Sequence, residues 1–202
     1  MKQSVIVATR NANKVREMQE IFGEDFSVLP MDAVAPALEI EEDGYTFEDN
    51  AAIKARALWE ALPEKALVLA DDSGLEIDFL GGAPGIFSSR WLGEKTPYSI
   101  KNAHILEELK DVPEYRRGCR YVCAIAAVTP EGRLISVRRT MEGRIAESVC
   151  GDNGFGYDPV FFVPECGCTA AELSEEAKNS ISHRGKALRA MTEKLREAGI
   201  LA

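Results

Sequence analysis

Two adjacent carboxylates, Asp71 and Asp72, stand where an apolar run, Ala66–Ala70, gives way to Ser73-Gly74. A glycine-rich stretch, Gly81-Gly82-Ala83-Pro84-Gly85, follows a second apolar segment around Leu75 and Ile77. A short apolar run bounded by turn residues reads as a buried strand. Alternation then puts Val68, Ala70 and Asp72 on one face and Leu67, Leu69 and Asp71 on the other. Acidic side chains at the end of a buried strand are costly to desolvate unless they are paired or face a cation. A strand ending in a solvated turn, with both aspartates as turn formers, accounts for the spacing equally well.

Other stretches carry groups suited to an anionic ligand. Thr9-Arg10-Asn11-Ala12-Asn13-Lys14 separates an expected strand, Ser4–Ala8, from a helix with Val15, Met18, Ile21 and Phe22 on one face. Strand, polar turn and helix N-terminus form a geometry that holds phosphate. Neither GxxxxGK[ST] nor GxGxxG is present, and an ordinary N-cap turn explains Thr9 and Asn11 as well, with Lys14 at the surface. An acidic cluster, Glu39, Glu41, Glu42 and Asp43, precedes a helix beginning near Thr46, where the dipole favours negative charge. Lys54 lies beside that helix's stripe of Phe47, Ala51, Ala55, Leu58 and Leu62, placed to reach a ligand or to snorkel. Gly151–Pro159 interleaves glycines with Phe155, Tyr157, Asp152 and Asp158, a pattern for close backbone approach and ring stacking, or for a loop packed on its own aromatics. Ser182 is a good N-cap, which places His183 and Arg184 in a first helical turn. Cations there oppose the helix dipole, and such a conflict points to an anionic or carbonyl-bearing ligand.

The elements that must position these groups alternate in the first half of the chain and become β-rich in the second. A short strand is expected near Phe26–Leu29. A helix over Thr96–Lys110 is expected to turn Ile100, Ala103, Leu106 and Leu109 inward, with His104 as a structural residue on its flank. Cys119–Thr129 and Leu134–Met141 read as antiparallel strands about the turn Pro130–Arg133, with a third strand at Arg144–Val149. From about Leu173 the chain reads as helical, with Leu188, Met191 and Leu195 as the last core stripe. The pattern predicts an α/β protein with a mixed sheet, one domain over 1–202.

Composition narrows the function. The 202 residues are 46% hydrophobic and 28% charged, as in a folded globular protein. No apolar run reaches the length of a membrane span, and Ser4–Ala8 is too short for a secretory segment, so a cytoplasmic protein without a membrane partner is expected. A net charge of −9 argues against nonspecific nucleic-acid binding but leaves room for a small anionic substrate. Five cysteines without a CxxC pair and two histidines make a structural zinc site a poor fit. The cysteines read as small buried hydrophobes, with Cys166-Gly-Cys168 the one spacing suited to redox or metal chemistry.

Taken in order, Thr9-x-Asn11-x-x-Lys14, Ala70–Leu75 with Gly81–Gly85, Gly154-Phe155-Gly156-Tyr157-Asp158-Pro159 and Ser182-His183-Arg184 closely resemble the inosine triphosphate pyrophosphatase family over about Val5 to Leu188. Maf-like pyrophosphatases, a runner-up, resemble the chain less because they open on a serine- and arginine-rich turn. The resemblance implies an elongated mixed β-sheet flanked by helices, two lobes around a central cleft, and a homodimer. It implies Mg²⁺-dependent hydrolysis of ITP, dITP or XTP to the monophosphate and pyrophosphate. By position, Asp72 matches the general base and metal ligand, and Glu42 a second metal ligand, with Glu41 adjacent as the alternative. Thr9, Arg10, Asn11, Ala12, Asn13 and Lys14 fall in the phosphate-binding turn, where Arg10 replaces the smaller residue of many relatives, and Lys54 matches a further phosphate contact. Ser73 borders the nucleotide. Phe155, Gly156, Tyr157, Asp158, Lys178, His183 and Arg184 match the base-recognition wall, and Asp71 falls outside the direct contacts. A nucleotide sensor that binds without turnover is the alternative from another class; it would require loss of Glu42 or Asp72, and both are present.

Overall fold

A computed structural model describes residues 3–201. Along the chain run β1 (Gln3–Val7), α1 (Ala12–Phe22), β2 (Phe26–Pro30), α2 (Phe47–Ala61), β3 (Val68–Ile77) and α3 (Tyr98–Glu108). Then come β4 (Gly118–Val128), β5 (Leu134–Ile145), β6 (Phe161–Val163), β7 (Cys168–Thr169), α4 (Glu175–Ile181) and α5 (His183–Glu197). The strands form one sheet in the order β2-β1-β3-β4-β5-β6-β7. β1 pairs parallel with β2 (Val5↔Val28) and with β3 (Val7↔Leu69), whereas β5–β6 and β6–β7 are antiparallel. The sheet is therefore mixed, as the alternation of elements predicts. None of the helices among the described residues is long and apolar enough to cross a membrane.

Packing divides the chain into two compact units. The first comprises the described parts of Met1–Asp72, Cys123–Arg139 and Arg184–Ala202; the second comprises Ser73–Val122 and Thr140–His183. In the first, Val5, Val7, Leu67, Leu69, Ile125 and Ala127 meet Met18 and Phe22 of α1 and Leu188, Met191 and Leu195 of α5. In the second, Leu75 and Ile77 pack with Ile105 and Leu109 of α3, Tyr121, Met141, Ile145 and Phe161. The apolar stripes expected for α2 and α5 are buried.

Four local expectations are corrected. β3 does not stop at Ala70 but continues through both aspartates to Ile77, because those carboxylates have cationic partners and need no solvated turn. β5 continues to Ile145 where a break and a separate strand are expected. Gly143 interrupts nothing there: a Cβ would lie 2.5 Å from the Phe161 ring, so the position is glycine because β6 comes close. On α3 the buried face is Lys101, Asn102, Ile105 and Leu109, while Ile100 is 55% exposed. Hydrophobicity misplaces that face because two of its residues are polar and each donates a hydrogen bond to a backbone carbonyl, Lys101 to Ser89 and Asn102 to Gly156. Of the cysteines only Cys119 and Cys123 are buried; Cys150 and Cys168 are half-buried and Cys166 is exposed.

Candidate active site

The first unit gathers its charged groups just beyond the paired ends of β1 and β3. The residues after β1 form the start of α1. The Thr9 hydroxyl oxygen accepts from the Asn11 backbone N–H at 3.2 Å, and the Asn11 carboxamide oxygen accepts from the N–H groups of Asn13 (3.0 Å) and Lys14 (3.4 Å). Asn11 is thus the N-cap of α1, which aims Lys14 at β3, where its ammonium lies 2.9 Å from Asp71 Oδ2. The same carboxylate oxygen lies 3.4 Å from Arg184 Nε, and the Arg184 guanidinium also pairs with Glu17 of α1. Glu17, Asp71 and Arg184 are all buried.

Strand alternation sends Asp72 to the opposite face, against α2. Lys54 Nζ lies 3.1 Å from Asp72 Oδ1 and 3.3 Å from Glu42 Oε1, so two carboxylates converge on one ammonium. Asn50, one turn earlier, donates to Asp72 Oδ2 at 3.3 Å and accepts from the Gly44 N–H at 2.9 Å. A Cβ at Gly44 would fall 2.6 Å from Asp49 Cβ and 2.7 Å from Asn50 Oδ1, so only glycine lets the acidic loop lie this close to the start of α2. That close approach delivers Glu42 to Lys54; Glu41 beside it is exposed.

The two aspartates have different electrostatic fates. Burial works to raise the Asp71 carboxyl, but Lys14, Arg184 and Lys54 outweigh it and hold the group well below the usual carboxylate range. At Asp72 burial also pushes upward, Lys54 and Lys14 pull against it, Glu42 adds to the rise, and the net direction is up. Burial would lower Lys54, yet Asp72, Asp71 and Glu42 more than compensate and raise it. Neighbouring carboxyls driven apart in this way mark one as a fixed charge and the other as a proton acceptor.

A divalent cation fits this donor set in one form only. Among the described residues no group of three or more His, Cys, Asp or Glu side chains is arranged to hold a metal. Glu42 and Asp72 supply two carboxylates that already share a cation. Mg²⁺ is commonly bound by one or two carboxylates with water and substrate phosphate oxygens completing its shell.

The second unit organises its own cluster around Asp158. Its Oδ1 accepts from the Tyr121 hydroxyl at 3.1 Å; its Oδ2 accepts from Lys178 Nζ at 2.7 Å and from the Phe155 N–H at 2.8 Å. A Cβ at Gly154, whose φ is +72°, would lie 2.2 Å from Asp158 Oδ2, so glycine is needed for the loop to close on its aspartate. Lys178 Nζ sits 4.9 Å from the centre of the Phe155 ring, and Tyr121 is stacked between His183 and Phe161 at 4.7 and 4.2 Å. Tyr157 is buried and donates to the Ser88 carbonyl at 2.7 Å. Phe155 and Gly156 stay half-exposed, the parts of this loop a ligand could reach.

Most of the residues singled out in the sequence are thus found in one of two networks. Thr9, Asn11, Lys14, Glu42, Lys54, Asp72 and also Arg184 belong to the first unit; Phe155, Gly156, Tyr157, Asp158, Lys178 and His183 to the second; Ser73, half-buried, begins the second unit. Arg10 is otherwise employed. Its guanidinium donates to Asp32 Oδ1 (2.7 Å) and to the carbonyls of Pro36 (3.1 Å) and Leu38 (2.6 Å), bracing the loop after β2. Sequence reasoning missed Glu17, Asn50, Lys101, Asn102 and Tyr121. The signal for Asn50 is a polar residue between Phe47 and Lys54 on a helix face that is otherwise apolar.

Tyr121 carries a testable consequence. Burial, then the Asp158 carboxylate, push its phenol well above the ordinary range, and burial does the same to Tyr157. The folded state therefore keeps both protonated while the unfolded chain ionises above about pH 10, so stability is fully present below that pH and declines above it. Tyr121→Phe is expected to cost about 1–3 kcal/mol at pH 8, since Asp158 loses a buried donor, and to flatten the alkaline decline. Urea unfolding at pH 8 and at about pH 10.5 compares the two.

The fold and the first cluster define an α/β protein with a carboxylate pair and two ammonium groups at the ends of parallel strands, where open α/β sheets bind their ligands. The Ham1 family model matches residues 5–194, and the chain belongs to the Ham1 family. It is 44% identical over 201 residues to the dITP/XTP pyrophosphatase of Clostridium perfringens, covering 97% of this chain and 98% of that protein. It is 47% identical over 186 residues to the dITP/XTP pyrophosphatase of Exiguobacterium sibiricum, covering 92% and 93%. The Ham1 protein of Staphylococcus aureus superimposes with a TM-score of 0.86 at 36% identity, over 97% of this chain and all of that one.

Proposed function

We propose that this protein hydrolyses deaminated purine nucleoside triphosphates (dITP, XTP and ITP) to the monophosphate and pyrophosphate. It is an enzyme, a nucleoside triphosphate pyrophosphatase, in keeping with relatives of that name that it matches over more than nine-tenths of their length. The observation that carries the reading is the convergence of Glu42 and Asp72 on the Lys54 ammonium, with Lys14 held at the adjoining Asp71. It works in the cytoplasm as a homodimer, with a small-molecule substrate and no nucleic-acid or membrane partner.

Glu42 and Asp72 are the residues that would hold Mg²⁺, which would supply charge neutralisation at the phosphates and acidify water. Asp72, fixed by Asn50, orients the attacking water and accepts its proton. Its raised proton affinity suits that task. The water attacks the α-phosphorus, the bond to the bridging oxygen breaks, and pyrophosphate leaves. Lys54, Lys14 and the N–H groups at the start of α1 stabilise the charge that develops on the phosphates. Asp71 keeps its charge and holds Lys14 in place.

Base choice rests on hydrogen-bond polarity. Hypoxanthine and xanthine present a 6-keto acceptor where adenine presents an amino donor. Donors from His183 or backbone N–H groups pair with the former and face the latter donor to donor, and Phe155 stacks on either; Arg184, buried against Glu17 and Asp71, is not among them. The test is pyrophosphate release from dITP, XTP, dATP and dGTP with Mg²⁺ and with EDTA. Metal-dependent release favouring dITP and XTP is expected. Equal rates on all four would discard the account of specificity, and binding without release would make the protein a sensor.

A further inference from the structure

The buried face of α3 carries two polar side chains, Lys101 and Asn102, beside Ile105 and Leu109. Lys101 is 1% exposed and Asn102 3%. Lys101 Nζ donates to the Ser89 carbonyl at 2.6 Å and lies 4.8 Å from the centre of the Tyr98 ring. Tyr98 meets Tyr157 edge to face at 5.1 Å, and the Tyr157 hydroxyl donates to the carbonyl of Ser88, next to Ser89. Asn102 Nδ2 donates to the carbonyl of Gly156 at 3.1 Å, while its Oδ1 is buried with no hydrogen-bond partner. An apolar residue would fill this position without leaving a buried acceptor unsatisfied, so the fold tolerates that cost for one bond. That bond holds the carbonyl of the single residue between Phe155 and Tyr157.

We propose that Asn102 is a positioning residue for the nucleobase. By anchoring the Gly156 carbonyl it fixes the course of residues 154–158, and with it the face that Phe155 presents to the purine. The inference rests on the reading above that this loop meets the base. Gly156, with φ +70° and no atom closer than 3.7 Å to a would-be Cβ, is set by backbone conformation and not by crowding, so a tether on its carbonyl is what selects one conformation. Tyr157 and Asp158 pin the loop on its C-terminal side, and the Phe155 N–H is held by Asp158. Asn102 supplies the remaining restraint between them. The hydrogen bond of its side chain goes to the Gly156 carbonyl, so its loss acts through the geometry of the loop.

The test uses the full chain with Asn102→Ala, and with Asn102→Leu as a variant of similar size that has no donor for the Gly156 carbonyl. Steady-state kinetics are measured on dITP, on dATP and on ribose 5-triphosphate, which has no base. Hydrogen exchange is followed at the amides of 154–158. KM for dITP is expected to rise roughly tenfold, the factor one lost hydrogen bond of ordinary strength carries, with kcat within about threefold. The preference for dITP over dATP narrows, the baseless substrate is hydrolysed as by the parent, and exchange at 154–158 quickens. An equal loss on the baseless substrate, or an unchanged KM and preference with unchanged exchange, overturns the proposal. If the parent protein itself shows no preference among bases, the account of specificity fails in its own right. The exchange measurement then decides the tether: quickened exchange upholds it, and unchanged protection removes it.

Discussion

Asp72→Asn is expected to lower pyrophosphate release by about 10²–10⁴-fold, the range for removal of a general base, while leaving the protein as stable as the parent. The first half follows from geometry. The carboxylate that shares Lys54 with Glu42 and is held by Asn50 is replaced by an amide that cannot take a proton from water and is a poor ligand for a hard cation. The second half follows from electrostatics. Burial and Glu42 raise the proton affinity of Asp72 despite two nearby lysines, which means the fold disfavours its ionised form relative to the unfolded chain. Neutralising it therefore removes a liability, and Lys54 keeps Glu42 as a partner. Thermal unfolding measured beside turnover checks both halves. Activity within about threefold of the parent would remove Asp72 from the proton-accepting role, because that is under 1 kcal/mol of barrier.

The division between legible and illegible parts of this chain follows the reach of each signal. Helices α2 and α5 bury the stripes that periodicity marks, since Phe47, Ala51, Ala55, Leu58, Leu188, Met191 and Leu195 repeat on a local rule. The faces of β3 are also legible, because alternation assigns Asp71 and Asp72 to opposite sides whatever follows. What a carboxylate finds on its own side is a long-range fact. Asp71 meets Arg184, 113 residues away, and nothing near either residue announces the other. The buried face of α3 fails for a related reason: hydrophobicity assumes that lysine and asparagine turn outward, whereas the Ser89 and Gly156 carbonyls hold Lys101 and Asn102 in. Arg10 lies inside the turn between β1 and α1, yet the loop it braces comes from Asp32 to Leu38. Motifs locate the site; the partners that set its charges come from elsewhere in the chain.

Arg184→Ala presents the opposite balance, with stability as the principal casualty. The guanidinium is buried between Glu17 and Asp71, and burial alone would lower its proton affinity, yet those two carboxylates drive it above the ordinary value. The charge is thus bound to its partners more tightly than water binds it. Truncation leaves Asp71 with Lys14 but takes from Glu17 the guanidinium it pairs with inside the protein. Removing one partner of a buried ion pair costs about 3–5 kcal/mol, a large part of the 5–15 kcal/mol that holds an ordinary domain together. Glu17→Gln alone is expected to cost less, because Arg184 still faces Asp71. The double variant Glu17→Leu/Arg184→Leu should recover part of the loss, since it removes both buried charges together. Urea unfolding of the parent, Glu17→Leu, Arg184→Leu and the double variant closes the cycle, and a coupling of about 1 kcal/mol or more between the two positions is expected. A loss below about 1 kcal/mol for Arg184→Ala would mean that water reaches Glu17 and screens it as at a surface. The buried pair would then contribute nothing to holding Asp71 beside Lys14.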